Sequence, residues 1–197
     1  MSEYGDDQEI RAVGEKTPSH VRTLTRIKTL FPNAKLIFII RDGRDIAVSG
    51  WYHLKRQHGV DKAGVLADYA KRISKVWRSD YEKVIDFCRI YPNDFIIVRY
   101  EDLHNNPLQE MLRLFRYLGV DDNDEIAEKC VDACKFIQLS GGRDRGDQNT
   151  ESFFRKGIVG DWRNHFDRQM WSAFDAEAGE LLGRLGYQRE WNVISIK

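Results

Sequence analysis

Apolar positions along the chain fall into two short unbroken runs and several stripes at helical spacing. Lys35 to Ile40, KLIFII, lies between FPNA and RDG, and a run of this kind suits a strand buried on both faces. Phe95 to Val98, FIIV, follows the Pro92-Asn93-Asp94 turn and predicts a second strand, with Arg99, Tyr100, Glu101 and Asp102 at its C-terminal end. After the Asp42-Gly43 turn, Ile46, Ala47, Val48, Trp51 and Leu54 recur with helical spacing, so a strand, a tight loop and a helix are expected in succession. From Val65 to Tyr91 the stripe Ile73, Val76, Trp77, Val84, Phe87, Cys88 is too long for a strand and predicts a crossover helix. Asn106-Pro107 opens another helix through Met111, Leu114, Phe115 and Leu118, stopped by Gly119. Two more are expected over about Asp124 to Phe136 and Arg168 to Leu185, whereas Ser140 to Glu151, SGGRDRGDQNTE, has no periodicity and reads as a mobile loop.

Strands alternating with helices predict an α/β fold, a parallel sheet flanked by helices, with its ligand crevice at the carboxyl ends of the strands. Two strands are too few for the usual covered sheet of about four to six, so part of the sheet is expected to be missing or supplied elsewhere. The length, 197 residues, fits a single domain over 1–197.

Charge narrows the function classes. The 31 basic and 31 acidic residues balance, which disfavours a general nucleic-acid binder while allowing a local basic pocket. Three cysteines do not make a disulfide framework and suit a reducing, cytoplasmic setting; Cys130 and Cys134, one helical turn apart, read as ordinary packing residues. The N-terminal stretch MSEYGDDQEIRAVGEKTP is polar and acidic, and no run approaches the ~18 apolar residues that span a bilayer. His53, His58, His104 and His165 share no metal-ligand spacing, so no metal is expected.

Candidate chemistry concentrates in two places. Arg155 to Phe166, RKGIVGDWRNHF, sets a planar guanidinium fork and a point charge beside Gly157, where backbone N–H groups can approach an oxyanion unobstructed. Ile39 to Ser49, IIRDGRDIAVS, places Arg41 at a strand end and Ser49 in the helix that follows. Arg41 with Asp42 could equally be a structural ion pair, and RKG a basic surface turn. Trp162, Phe166, Trp171 and Phe174 read as core aromatics.

Together these segments resemble the sulfotransferases that use 3′-phosphoadenosine 5′-phosphosulfate (PAPS). RKG followed by GDWRNHF is similar to that family's C-terminal 3′-phosphate signature, and Arg41 and Ser49 match its second 3′-phosphate element. VRYEDLHNNP resembles the strand-end element that places an aromatic, here Tyr100, near the nucleotide; Glu101 and Asp102 read as turn or capping groups. Phe136 matches the aromatic near the adenine, although Cys134-Lys135 replaces the Thr-Ser often found before it. GEKTPSH resembles the EKTP element of the glycosaminoglycan-type and bacterial branch, which implies Glu15 as the base, assisted by Lys16. His20 is the alternative base, by analogy with the cytosolic branch, and an ordinary helix start capped by Thr17 is the plain reading.

The resemblance implies a P-loop-NTPase-like sulfotransferase fold in which sulfonate passes from PAPS to a hydroxyl or amine of a small-molecule or glycan acceptor, releasing adenosine 3′,5′-bisphosphate (PAP). One family part has no counterpart: no K/R-S-G-T-T loop, the 5′-phosphosulfate cradle that follows the first strand, occurs in the chain. The first strand is therefore expected to be absent, with a homo-oligomer or a second chain completing the sheet, and a non-catalytic nucleotide-binding or assembly module is the alternative function. The acceptor pocket is expected between Trp51 to Val60 and Ser140 to Ser152, where Arg143 and Arg145, with Asp144 and Asp147, suit a polar or anionic acceptor.

Overall fold

A computed structural model describes residues 13–59, 64–120 and 122–191; most of the acidic N-terminal stretch, and Val60 at the end of one expected acceptor segment, lie outside them. A short 3₁₀ turn, Pro18–Arg22, leads into helix α1, Leu24–Leu30, and strand β1, Leu36–Ile40. Helices α2, Gly43–His58, and α3, Leu66–Ile90, cross over to strand β2, Phe95–Arg99. There follow α4, Tyr100–Asn105, α5, Pro107–Leu118, α6, Asp124–Ala133, α7, Phe136–Leu139, a 3₁₀ turn at Asp161–Asn164 and α8, Arg168–Arg184.

The mixed α/β architecture with a parallel sheet agrees with the sequence pattern. β1 and β2 pair in parallel, from Leu36 opposite Phe95 to Ile40 opposite Arg99, and form a two-stranded sheet among the described residues. One expectation fails: β1 is not buried on both faces. Phe38 turns toward α3, its ring meeting Tyr81 edge-on at 5.1 Å, while Ile37 and Ile39 on the opposite face are 42% and 51% exposed. The apolar run is continuous in sequence, but only the α3 side of it is covered.

α3 organises both apolar clusters. Its Trp77 and Tyr81 pack with Ala47, Val48, Phe174, Leu181 and Leu182 in the larger one, and Val84 and Phe87 meet Leu24 and Phe95 in the smaller. Trp162, Phe166 and Phe174 are core residues as expected, with Trp171 partly buried against them. The smaller cluster recruits α1, which the apolar pattern did not reveal, because the helix presents only Leu24 and a buried lysine inward. Lys28 survives burial by donating to the Ala34 carbonyl at 3.2 Å and pairing with Asp94 at 2.8 Å.

Three local differences have physical causes. The helix expected over Asp124 to Phe136 ends at the cap Cys134, and Lys135 (φ −58°, ψ 138°) breaks it before Phe136, whose ring lies against Gly157. α5 begins at Pro107 and ends at Gly119 as expected, but the residues before it, Tyr100 to Asn105, coil into α4 instead of remaining a turn. The Ser140 to Glu151 segment is tied down: the Arg143 guanidinium donates to the carbonyls of Asp147 (2.8 Å), Arg155 (3.1 Å) and Phe154 and to the Ser152 hydroxyl (3.1 Å). One planar fork with five N–H donors replaces the missing helix or strand ladder.

Gly43, first residue of α2, shows how closely this core meets the site. A Cβ there would stand 2.8 Å from the Trp77 ring and 2.9 Å from that of Phe174. Gly43→Ala is expected to lower stability by about 1–3 kcal/mol through overpacking, measured as a shift in urea midpoint at unchanged m-value.

Candidate functional site

The site grows from the C-terminal end of β1. There the Arg41 backbone is gripped twice: its N–H donates to the Tyr81 hydroxyl at 2.8 Å, and its carbonyl accepts from the Trp77 indole at 3.0 Å. Burial pushes the Tyr81 phenol up to about 12, so it stays protonated around neutrality. The side chain is free to act: the guanidinium lies 4.2 Å above the Tyr100 ring, its Nε is buried without a hydrogen-bond partner, and it joins no ion pair among the described residues. The Arg41–Asp42 pair allowed by the sequence does not form. Asp42 instead caps α2, accepting from the Arg44 N–H at 2.9 Å, and takes the Arg44 guanidinium in a two-point pair at 2.9 and 2.7 Å.

Glu101, expected as a turn or capping group, instead braces distant parts of the chain. It accepts from the Asp42 N–H at 3.0 Å and from the Tyr187 hydroxyl at 3.1 Å, joining β1, α4 and the chain after α8. Burial, reinforced by the Glu101 charge, pushes the Tyr187 phenol well up, which keeps it a donor.

Arg41, Asp45, Ser49 and Tyr52 recur every three or four residues and form one stripe along the start of α2. Opposite it lies the chain from Arg155 to His165. Buried Asp45 accepts the Gly160 N–H at 2.7 Å through one oxygen and the Trp162 N–H at 2.9 Å through the other. The Arg155 guanidinium stacks 4.5 Å over Tyr52, one turn beyond Ser49, and Arg44 stacks 3.9 Å over Trp162. Asp45 and Tyr52 thus tie the helix that follows Arg41 and carries Ser49 to the segment of Arg155 and Lys156, more than 100 residues further along the chain.

Asp161, 3% exposed, holds the two cations. It accepts from Lys156 at 2.8 Å, Asn164 at 2.9 Å and His165 at 3.2 Å, and from Arg155. Burial pushes this carboxyl up, but the donors from His165, Arg155, Lys156 and Asn164 outweigh it and hold the group well below the usual carboxylate range. At Asp45 the balance reverses. Burial pushes it up, Arg41 opposes the shift, Asp42 adds to it, and two backbone N–H donors do not make up the difference.

Gly157 adopts φ +67°, and a Cβ there would come within 2.3 Å of the Phe136 ring, so both conformation and packing demand glycine. Its carbonyl meets His104 Nε2 at 2.9 Å, while His104 Nδ1 meets Arg145 at 3.1 Å. A guanidinium only donates, so Nδ1 accepts and Nε2 carries the proton to the Gly157 carbonyl. Phe136 and Gly157 are therefore in contact, and Tyr100 stands beside Arg41.

The remaining candidates form a second group. Glu15 and His20 pair at 3.1 Å, the Thr17 hydroxyl donates to Glu15 instead of capping the helix, and Lys16 is exposed. This turn is anchored to α3 by Arg22, 3.5 Å from Asp80, the neighbour of the Tyr81 that grips Arg41. Asp45, Tyr52, Asp161 and His165 were not singled out from sequence. Two of them left a faint signal in the sequence, Asp45 at i+4 from Arg41 and Asp161 as the turn-forming Asp of RKGIVGDWRNHF.

A parallel strand pair with Arg41 at its carboxyl end, tied through Asp45 to the segment of Arg155 and Lys156, defines an α/β protein with a local basic site. The comparisons supply the family: residues 8–186 match the sulfotransferase domain, and the chain belongs to that family. Cytosolic sulfotransferase 16 of Arabidopsis thaliana is 30% identical over 166 residues, 72% of this chain and 48% of the relative. Human sulfotransferase 1C2 is 26% identical over 157 residues, 73% and 53% respectively. The chain thus spans about half the length of these relatives. Among solved structures, mouse sulfotransferase SULT7A1 complexed with PAP superposes with a TM-score of 0.67 at 20% identity, covering 81% of this chain and 61% of that one. Retinol dehydratase in complex with androsterone and inactive cofactor PAP gives 0.62 at 20% identity, over 84% and 49%. These likenesses establish a shared fold.

The Asp45 bridge is testable without ligand. Asp45→Asn turns an acceptor into a donor facing a backbone N–H, and a loss of about 1–3 kcal/mol is expected in chemical denaturation. Unchanged stability would mean that the two segments are held by their ring contacts alone.

Proposed function

We propose that the chain binds PAP and PAPS through their 3′-phosphate and belongs to an enzyme that transfers sulfonate to a hydroxyl or amine acceptor. The observation that supports this reading is the set of ties between the segment of Arg155 and Lys156, both paired with Asp161, and the α2 face whose Asp45 and Tyr52 flank Ser49 and follow Arg41. The residues present suit a phosphate: Arg41 Nε is buried without an acceptor, and Gly157 keeps the backbone open beside two cations. Family membership and the shared fold point the same way.

When bound, PAPS would supply the sulfonate, the sulfur's bond to the 5′-phosphate oxygen breaking as its bond to the acceptor oxygen or nitrogen forms, with PAP as the leaving group. The chain's own residues orient and neutralise. Arg41, Ser49, Arg155, Lys156 and the Gly157 backbone take the 3′-phosphate, remote from the reacting sulfur, and Tyr100 and Phe136 offer ring faces for the nucleoside. Glu15 receives the acceptor proton, with Lys16 beside it for developing charge and His20 in contact as the alternative base. The EKTP element is our ground for setting the chain near the glycosaminoglycan and bacterial branch. We read the uncovered Ile37 and Ile39 face as the side where a further segment bearing the phosphosulfate loop packs.

Calorimetry with PAP tests the clamp: Arg155→Ala with Lys156→Ala is expected to abolish measurable binding, and adenosine 5′-monophosphate, lacking the 3′-phosphate, to bind far more weakly than PAP to the unaltered chain. Equal affinity of the double variant for PAP would sink the reading. In the active assembly, Glu15→Gln is expected to cut turnover by roughly 10²–10⁴ with PAP affinity nearly unchanged, as removal of a general base should. If His20→Gln alone produces that loss, the base is His20.

A further inference from the structure

The clamp uses the first half of α2, and the second half faces a separate cleft. Tyr52, Lys55, Arg56 and Gly59 line it from one side and Thr150 and Glu151 from the other, enclosing about 210 Å³. Its walls are therefore the two segments from which the sequence suggested an acceptor pocket, but the charges differ. Arg143 is committed to backbone carbonyls and the Ser152 hydroxyl, and Arg145 to His104. The cations in the cleft are Lys55 and Arg56.

Neither of these joins an ion pair among the described residues. Lys55 lies 5.2 Å over the Trp51 ring; Arg56 lies 5.7 Å over Phe153 and donates to His53 Nδ1 at 3.0 Å. Glu151, the opposing charge, accepts from the Thr150 hydroxyl at 3.4 Å. The partial negative charge at the C-terminal end of α2, about half a unit, offsets only part of two full cations. Phe153 is 70% exposed beside Arg56 and His53, an apolar ring left in water next to an unneutralised guanidinium. Tyr52 is shared with the clamp, since its ring carries the Arg155 guanidinium.

We propose that this cleft seats an anionic group of the acceptor, a small ring-bearing molecule with one carboxylate, phosphate or sulfate, held between Lys55 and Arg56 with its ring against Phe153. The word acceptor rests on the sulfonate-transfer reading; the anion subsite does not. Two charge-assisted contacts in a half-exposed cleft favour a charged over a neutral ligand by roughly ten-fold.

The probes are 4-hydroxyphenylacetate and its neutral methyl ester, titrated into isotopically labelled chain with and without saturating PAP and followed at the amides of Gly59 and Thr150. The acid is expected to shift both amides saturably and to bind roughly ten-fold tighter than the ester. Lys55→Ser with Arg56→Ser should erase that preference while PAP affinity stays within about two-fold of the unaltered chain. Equal binding of acid and ester, absence of shifts at these amides, or a preference that survives the double substitution would overturn the anion subsite. Failure of the unaltered chain to bind PAP is a different result: it removes the sulfonate-transfer reading, and the titration without nucleotide still decides the cleft.

Discussion

The site is assembled around one buried carboxylate. Asp45 directs one oxygen to each of two backbone amides, Gly160 and Trp162, on a segment 115 and 117 residues further along the chain. Backbone N–H groups are donors of fixed direction, so this bridge sets both the distance and the rotation of the 155–165 segment relative to α2. Asp161, between those two amides in sequence, is thereby turned toward Arg155 and Lys156. One buried carboxylate fixes the frame, and the next holds the cations within it. An anion bound there as proposed would find little side-chain ordering left to drive.

Much of this arrangement was legible in the sequence. The two strands, the long crossover helix, the Pro107 start and Gly119 stop of α5, and α8 all follow from apolar spacing and punctuation, because those elements bury a regular stripe. What the pattern hid was environment. KLIFII reads as buried on both sides, yet composition alone cannot say whether a second layer covers Ile37 and Ile39. α1 was invisible because a satisfied lysine occupies a core position. The Ser140 to Glu151 segment read as mobile because the order in it comes from Arg143 reaching carbonyls up to 12 residues away, which no local rule detects.

The candidate site divides in the same way. Arg155, Lys156 and Gly157 announce themselves by residue type, and the ring of Phe136 over Gly157 gives a steric reason for the glycine. Arg41 could pair with Asp42 or stand free, and only the two-point pairing of Asp42 with Arg44 decides it. Asp45 and Asp161 carry little local sign of their role, because nothing beside Asp45 in sequence names its partners and an Asp after Gly160 reads as a turn former. Their importance lies in whom they meet across the fold. The same holds for the cleft beyond the clamp segment, where Arg143 and Arg145 are committed to carbonyls, the Ser152 hydroxyl and His104, and Lys55 and Arg56 are the lining cations.

The bridge from Asp45 also bears on how the chain folds. β1 must find β2 across a closed loop of 59 residues from Leu36 to Phe95, and the Asp45 contacts close one about twice as long. Loop-closure entropy rises only slowly with length, but every such contact is of high sequence separation, which slows folding in chains that depend on them. The proposed nucleotide clamp thus sits on some of the longest-range contacts among the described residues. A ligand that grips Arg41 and Lys156 together acts as a cross-link between distant parts of the chain, so its binding energy is returned as resistance to global unfolding and not merely as order within a loop.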